Sequence, residues 1–218
     1  TISAVHFIHD CYTAFLAPAL PLIIEKLGIS YGMTGLLAVI QRIPSLFNPL
    51  IGIVAERPVM RYMVIFSPAF TAVFMSLIGV APGYIFLAIL LFFSGISSTL
   101  WHIPTPVMVK QLSGTRTGKG MSYYMVGGEL ARTAGPLIIL GVISLWGLEG
   151  TWKMMPLGFI ASLILYLNFR SAKFSPATSS LHHQEGSYWK IFLRHGNYPT
   201  FFAVNHWYRG SPVSLSRD

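Results

Sequence analysis

The chain has 218 residues, of which 53% are hydrophobic and only 10% charged, against about 25% charged in an ordinary soluble domain, so its composition makes lipid the solvent. The formal net charge of +8 is spread singly between apolar runs and builds no stripe for a phosphate backbone, which excludes nucleic acid as a partner. Cys11 is the only cysteine, so neither an intrachain disulfide nor a CxxC-type metal or redox site can form.

A membrane-spanning helix needs about 20 mainly apolar residues. The hydropathy pattern predicts six of them, near 2–24, 31–55, 62–81, 84–109, 121–147 and 151–169, which makes the expected fold an all-α membrane protein. The first segment carries His6, His9 and Asp10 and has no basic flank, so it reads as a retained helix and not as a secretory signal. His6 and Asp10 are four apart, hence one turn apart on one face, and a carboxylate so placed favours a protonated histidine. An Asp at a helix centre costs about 2.5–3.5 kcal/mol, so Asp10 is expected to face a partner or a wet cavity.

In the second segment Gln41 and Arg42 fall near mid-membrane; Arg42 is expected to hold an anionic substrate or to neutralise Asp10 or Glu129. The loop from Gly52 to Arg61 then gathers Glu56, Arg57 and Arg61 in a chain with few charges. In the fourth segment His102 stands beside Pro104 and Pro106, which free backbone carbonyls. The fifth holds Gly127, Gly128, Glu129 and Arg132, then Gly135 and Pro136. Glu129 and Arg132 share a face, as a structural pair or as a switch, and the small residues admit a neighbouring helix.

Basic residues divide unevenly between the two sides. Arg57, Arg61, Lys110, Arg116, Lys119, Arg170 and Lys173 fall on one, Lys26 and Lys153 on the other, so the first side and the amino end are expected in the cytoplasm. Residues 1–170 are expected to form the six-helix bundle. Residues 171–218 read as a cytoplasmic linker and a truncated or disordered tail, because Tyr198 to Val204 is far too short to span. His6, His9 and His102 invite a metal, but His9 is expected on a different face from His6, and the expectation is no metal, no cofactor and no enzyme chemistry.

Gly52, Glu56-Arg57 and Arg61 resemble the loop motif between helices two and three of the major facilitator superfamily, and Gly128 with Gly135-Pro136 resembles its glycine-proline motif in helix five. His6-x-x-x-Asp10, Gln41 with Ser45-Leu46 and Pro49, the run from Gly95 to His102, and Val126-Gly127-Gly128 before Gly135-Pro136-Leu137 are similar to the fosmidomycin-resistance type of drug exporter. The resemblance implies the amino-terminal half of a twelve-helix transporter in the plasma (inner) membrane. Asp10, His6 and Glu129 would be proton-linked groups, Gln41, Arg42, His102 and Arg132 would line the cavity, and the Gly52 to Arg61 loop would gate it. The implied activity is proton-coupled export of a drug-like or anionic compound, with the lipid bilayer, protons and a missing second half as partners. A non-transporting scaffold or remnant and a dimerising half-transporter are the alternatives. Val59 and Tyr62 depart from the loop motif, Ile103-Pro104 replaces the usual Pro-Glu after the histidine, and Glu129 stands where those exporters carry a neutral polar residue. An acidic group moved to another helix, or a different substrate, would account for the last two.

Overall fold

The computed structural model describes residues 1–55 and 57–170. The expectations for 171–218, including the tail around Tyr198, and the place of Glu56 lie outside the described residues. Among those described there are nine α-helices: α1 (Ile2–Thr13), α2 (Leu16–Leu27), α3 (Tyr31–Arg42), α4 (Asn48–Val54), α5 (Pro58–Ser76), α6 (Tyr84–His102), α7 (Pro104–Ser113), α8 (Thr117–Trp146) and α9 (Met155–Phe169).

Among the described residues, five continuous helical stretches are long and apolar enough to cross a membrane: Ile2–Leu27, Tyr31–Val54, Val59–Val80, Tyr84–Trp146 and Glu149–Phe169. The fourth has 63 residues, about 95 Å of helix and roughly three times the hydrocarbon thickness. It doubles back at Gly114–Arg116, where Gly114 takes a φ of 51° open to glycine, and α7 packs against α8. The stretch therefore supplies two crossings, which gives the six expected.

Proline decides where the crossings break. Pro18 cannot donate to the carbonyl of Ala14, and the first crossing parts into α1 and α2 at Ala14–Phe15. Pro44 opens a 3-10 stretch, Ile43–Phe47, that separates α3 from α4 and leaves Arg42 as the last residue of α3. Pro104 starts α7 directly after His102 and Ile103. Pro136 is carried inside α8 without a break. Two expected boundaries are corrected. The third crossing begins at Pro58 and not near 62, since proline suits the first helical position and Arg57 in front of it is extended. The link expected over 110–120 shrinks to three residues, because α7 and α8 run on past the apolar core while keeping their backbone bonds internal.

α1 packs against α8, α5 and α9; α5 packs against α6 and α9; and α3 packs against α6. Glycines set the closest approaches. A side chain at Gly95 would meet the backbone carbonyl of Gln41, at Gly127 the carbonyl of Ser3, and at Gly79 the carbonyl of Leu148. Two buried apolar clusters result. One contains Cys11, Phe15, Met75, Leu91 and Ile139, the other Val5, Ile65, Trp101, Tyr124 and Leu165.

The three loops that alternate onto one side meet. Lys26 Nζ donates to Gly79 O at 2.8 Å and lies 2.7 Å from Glu149 Oε1, joining the first, third and fifth connections. At the other end Ser3, Val109, Gly120 and Asn168 line one cleft, which puts the amino end beside the end of α7, the start of α8 and the end of α9. The loop sequence expected as a gate lies at this end. Gly52 is helical with open space around it, Arg57 is exposed, and Arg61 donates to Tyr62 Oη at 3.0 Å.

Because a backbone carbonyl cannot step aside as a flexible side chain does, Gly95→Val is expected to destabilise the bundle by about 1–3 kcal/mol or more. Thermal unfolding of purified protein in detergent measures this; an unchanged midpoint would show that α3 and α6 do not meet at Gly95.

Candidate functional site

A polar layer separates the two apolar clusters, and each of three crossings contributes to it between its apolar ends. On α1 it is His6, His9 and Asp10, between Val5 and Cys11; on α5 it is Ser67 and Thr71, between Ile65 and Ala72; on α6 it is Ser94 and Ser97, between Leu91 and Trp101, with His102 just beyond. Asp10 lies about 12 Å along the helix from its start, at membrane depth. It is 5% exposed, and His6 and His9 are 4% and 0% exposed, so its charge is largely withdrawn from bulk solvent.

Three imidazoles surround the carboxylate. His6 Nε2 lies 3.1 Å from Oδ2, His9 Nδ1 2.9 Å from Oδ1, and His102 Nε2 3.2 Å from Oδ1. The His9 contact is a hydrogen bond. His6 Nε2 is within ion-pair distance but off the hydrogen-bond line, and remains a buried nitrogen without a hydrogen-bond partner. Aromatic faces fix the rings: Tyr124 stacks on His6 with centroids 4.0 Å apart, and Trp101 stacks on His9 at 5.0 Å.

The neighbours decide where the protons are. His6 Nδ1 sits 2.7 Å from the carbonyl of Tyr124, which only accepts, so Nδ1 carries a proton and Nε2 presents its lone pair to the layer unless a second proton arrives. From His9 a chain runs outward. Ser97 Oγ donates to Ser67 O at 2.9 Å, and Thr71 Oγ1 donates to Ser97 Oγ at 2.8 Å. Thr71 thereby spends its only hydrogen, and must accept from His9 Nε2 at 3.0 Å. The bond between His9 Nδ1 and Asp10 then holds one further proton, residing on the ring or on the carboxyl. The His9–Asp10 bond thus stands at one end of a directed hydrogen-bond chain.

Gly128 makes this possible, since a side chain there would press on the His6 ring 2.7 Å away and on Asp10 Oδ2 at 3.3 Å. Gly135 lies against Cys11 and Ala14 of the same crossing, so the small residues of α8 serve its approach to α1 and α2. His9 is a correction to the sequence reading. Three residues from His6 it is only about 60° away around the helix, and as the neighbour of Asp10 it turns Nδ1 onto the carboxylate. Ser67, Thr71 and Ser97 escaped the reading altogether. Ser67 and Thr71 are four apart in an apolar segment, which was the available signal.

The other expected residues fall elsewhere. Glu129 and Arg132 pair at 2.6 Å on an exposed face of α8, with side chains 58% and 67% exposed. Gln41 is half-buried at the end of α3, its Nε2 3.8 Å from Met75 Sδ, and Arg42 is exposed. Arg42 neutralises neither acid: among the described residues the ion pairs of Asp10 are to histidines and that of Glu129 is to Arg132. The break at Ile43 leaves Arg42 as the last residue of α3.

Comparison with known proteins adds two findings. The sequence profile of the Major Facilitator Superfamily matches residues 2–210. Among curated proteins, the "Uncharacterized MFS-type transporter YfnC" of Bacillus subtilis (strain 168) is 22% identical over 170 residues, 76% of this chain and 41% of that protein. The "Fosmidomycin resistance protein" of Escherichia coli (strain K12) is 22% identical over 147 residues, 67% of this chain and 36% of that protein. The chain thus spans about two-fifths of the length of the curated relatives it matches, and no solved structure matches.

Thr71→Val removes the one group that links His9 to Ser97 and leaves a buried ring N–H unpaired, at an expected cost of about 1–3 kcal/mol; Thr71→Ser restores the hydroxyl and most of the stability. Chemical denaturation in micelles distinguishes the two variants, and equal stability of Thr71→Val and wild type would dissolve the chain described here.

Proposed function

The chain belongs to the Major Facilitator Superfamily, and from that premise we propose that it forms the first half of a proton-coupled secondary transporter that exports a small drug-like or anionic molecule. The family is one of membrane transporters and not of enzymes, and the protein is a multi-pass integral membrane protein. The observation that carries the coupling reading is the buried Asp10 carboxylate, held by histidines from two crossings at membrane depth, with a proton in its bond to His9. Moving His102 away from Asp10, by bending at Ile103–Pro104, changes how many donors the carboxylate has and so its hold on the proton. The name of the fosmidomycin resistance relative supports export and a drug-like substrate.

A second six-helix half completes the transporter in this reading. Its support is the length of the relatives, together with the exposed apolar faces of α3 (Leu36, Val39) and α8 (Leu130, Leu137, Leu140). Gln41, Arg42, Glu129 and Arg132 lie on those two helices, half-buried or exposed, where a cavity between halves would form, and His102 reaches the same space from α6. The Gly52 to Arg61 loop then gates that cavity from the amino-terminal side. The excess of Arg and Lys at this end orients it to the cytoplasm of the inner membrane.

In the full-length transporter reconstituted in proteoliposomes with an imposed pH gradient, Asp10→Asn is expected to lower proton-driven flux at least 100-fold, and Glu129→Gln about tenfold. Proton-driven flux unchanged in both would overturn the coupling assignment. Orientation is tested separately in intact cells. An impermeant maleimide should label Lys26→Cys and Glu149→Cys but not Arg116→Cys, and the reverse pattern would invert the topology.

A further inference from the structure

The layer around Asp10 also has the composition and support of a metal site. His6, Asp10 and His102 each offer one ligand atom, and those atoms all lie within 4.8 Å of one another. Tetrahedral zinc with bonds of about 2.0–2.1 Å sets its ligand atoms roughly 3.3 Å apart. The contacts of Asp10 with His6, at Oδ2 and 3.1 Å, and with His102, at Oδ1 and 3.2 Å, are already near that spacing, and assembly requires the two rings to close from within 4.8 Å onto a shared ion.

An independent observation points the same way. His6 is 96% buried by its 4% exposure, yet its Nε2 has no hydrogen-bond partner, while its Nδ1–H is committed to the Tyr124 carbonyl. This buried lone pair lies 3.1 Å from a carboxylate oxygen with no hydrogen bond between them, a repulsive contact that a proton or a metal ion shared by the two groups would relieve. The surroundings match those of metal-ligating residues. The non-ligating nitrogen of His6 donates to a backbone carbonyl, the Asp10 carboxylate accepts from His9, and His9 is itself fixed by Thr71 and Trp101.

We propose that His6, Asp10 and His102 bind one divalent transition-metal ion of the zinc class. Two imidazoles and one carboxylate suit zinc and its neighbours in the first transition row, whereas calcium and magnesium take oxygen ligands. The His102 side chain is 36% exposed, which gives the ion an entry path from that side of the layer. This site does not depend on the transport reading: metal binding is measured on the protein at rest, and flux is measured without metal.

The test is calorimetric titration of zinc chloride into the chelator-stripped full chain in micelles, with cobalt(II) absorption as a second probe. The expected result is one ion per chain and the intense visible band of tetrahedral cobalt, with affinity reduced at least tenfold in His6→Ala and in His102→Ala. His9→Gln, which alters only the support of Asp10, should weaken binding about tenfold. His182→Ala with His183→Ala, far along the sequence, should leave binding unchanged. Full affinity in the His6→Ala, His102→Ala double variant would overturn the proposal, as would loss of the ion in the His182→Ala, His183→Ala variant. Should His6→Ala fail to fold by circular dichroism, His102→Ala decides alone, because its ring stands at the open side of the layer. Tenfold weakening there upholds the site and an unchanged affinity removes it.

Discussion

A carboxylate cannot remain charged and unaccompanied inside lipid, and that constraint organises this bundle around Asp10. Left alone, its charge would oppose insertion by a few kcal/mol. Three histidines from α1 and α6 surround it, His9 by a hydrogen bond, while a backbone carbonyl of α8 orients His6 and hydroxyls of α5 and α6 orient His9. Four helices are therefore tied to one another through a single side chain. The apolar clusters above and below it pack well, but they carry no direction; the polar layer between them fixes how α1, α5, α6 and α8 are turned about their axes.

The glycines of α8 and the histidines of α1 belong to the same device. His6 can donate to the Tyr124 carbonyl only if it lies almost on the backbone of α8, and the missing side chain of Gly128 is what lets it do so. A motif that reads as generic close packing is in this way coupled to the chemistry of the charged site. The same holds at the loops, where the room left by Gly79 brings Leu148 close and Lys26 ties both connections together.

Charge in the bundle follows two regimes. Inside, Asp10 is desolvated and His6 Nδ1 and both nitrogens of His9 have fixed partners, so adding or removing one proton or cation alters several bonds together. Outside, the pair Glu129–Arg132 is a one-turn contact on an exposed face, where such pairs contribute little to stability. Its interest lies in its position on α8, beside Gly128 and one residue from the His6 ring, and not in its strength.

Much of this was legible from the chain alone, for physical reasons. Twenty apolar residues have one stable disposition in a bilayer, so the number of crossings, their alternation and the sharing of sides among loops followed from hydropathy and the placement of Arg and Lys. Spacing of four placed His6 and Asp10 on one face. The breaks at Ala14, Ile43 and Ile103 were marked by Pro18, Pro44 and Pro104, although which proline breaks a helix and which, like Pro136, is absorbed depends on neighbours. Only the tertiary structure brought His102 to Asp10, recruited Thr71 and Ser97 to His9, and left Arg42 away from both acids. Those contacts join residues from 26 apart (Thr71 and Ser97) to 92 apart (Asp10 and His102, 102 − 10) in the chain, and helical periodicity fixes the face of a residue without naming the helix that will face it.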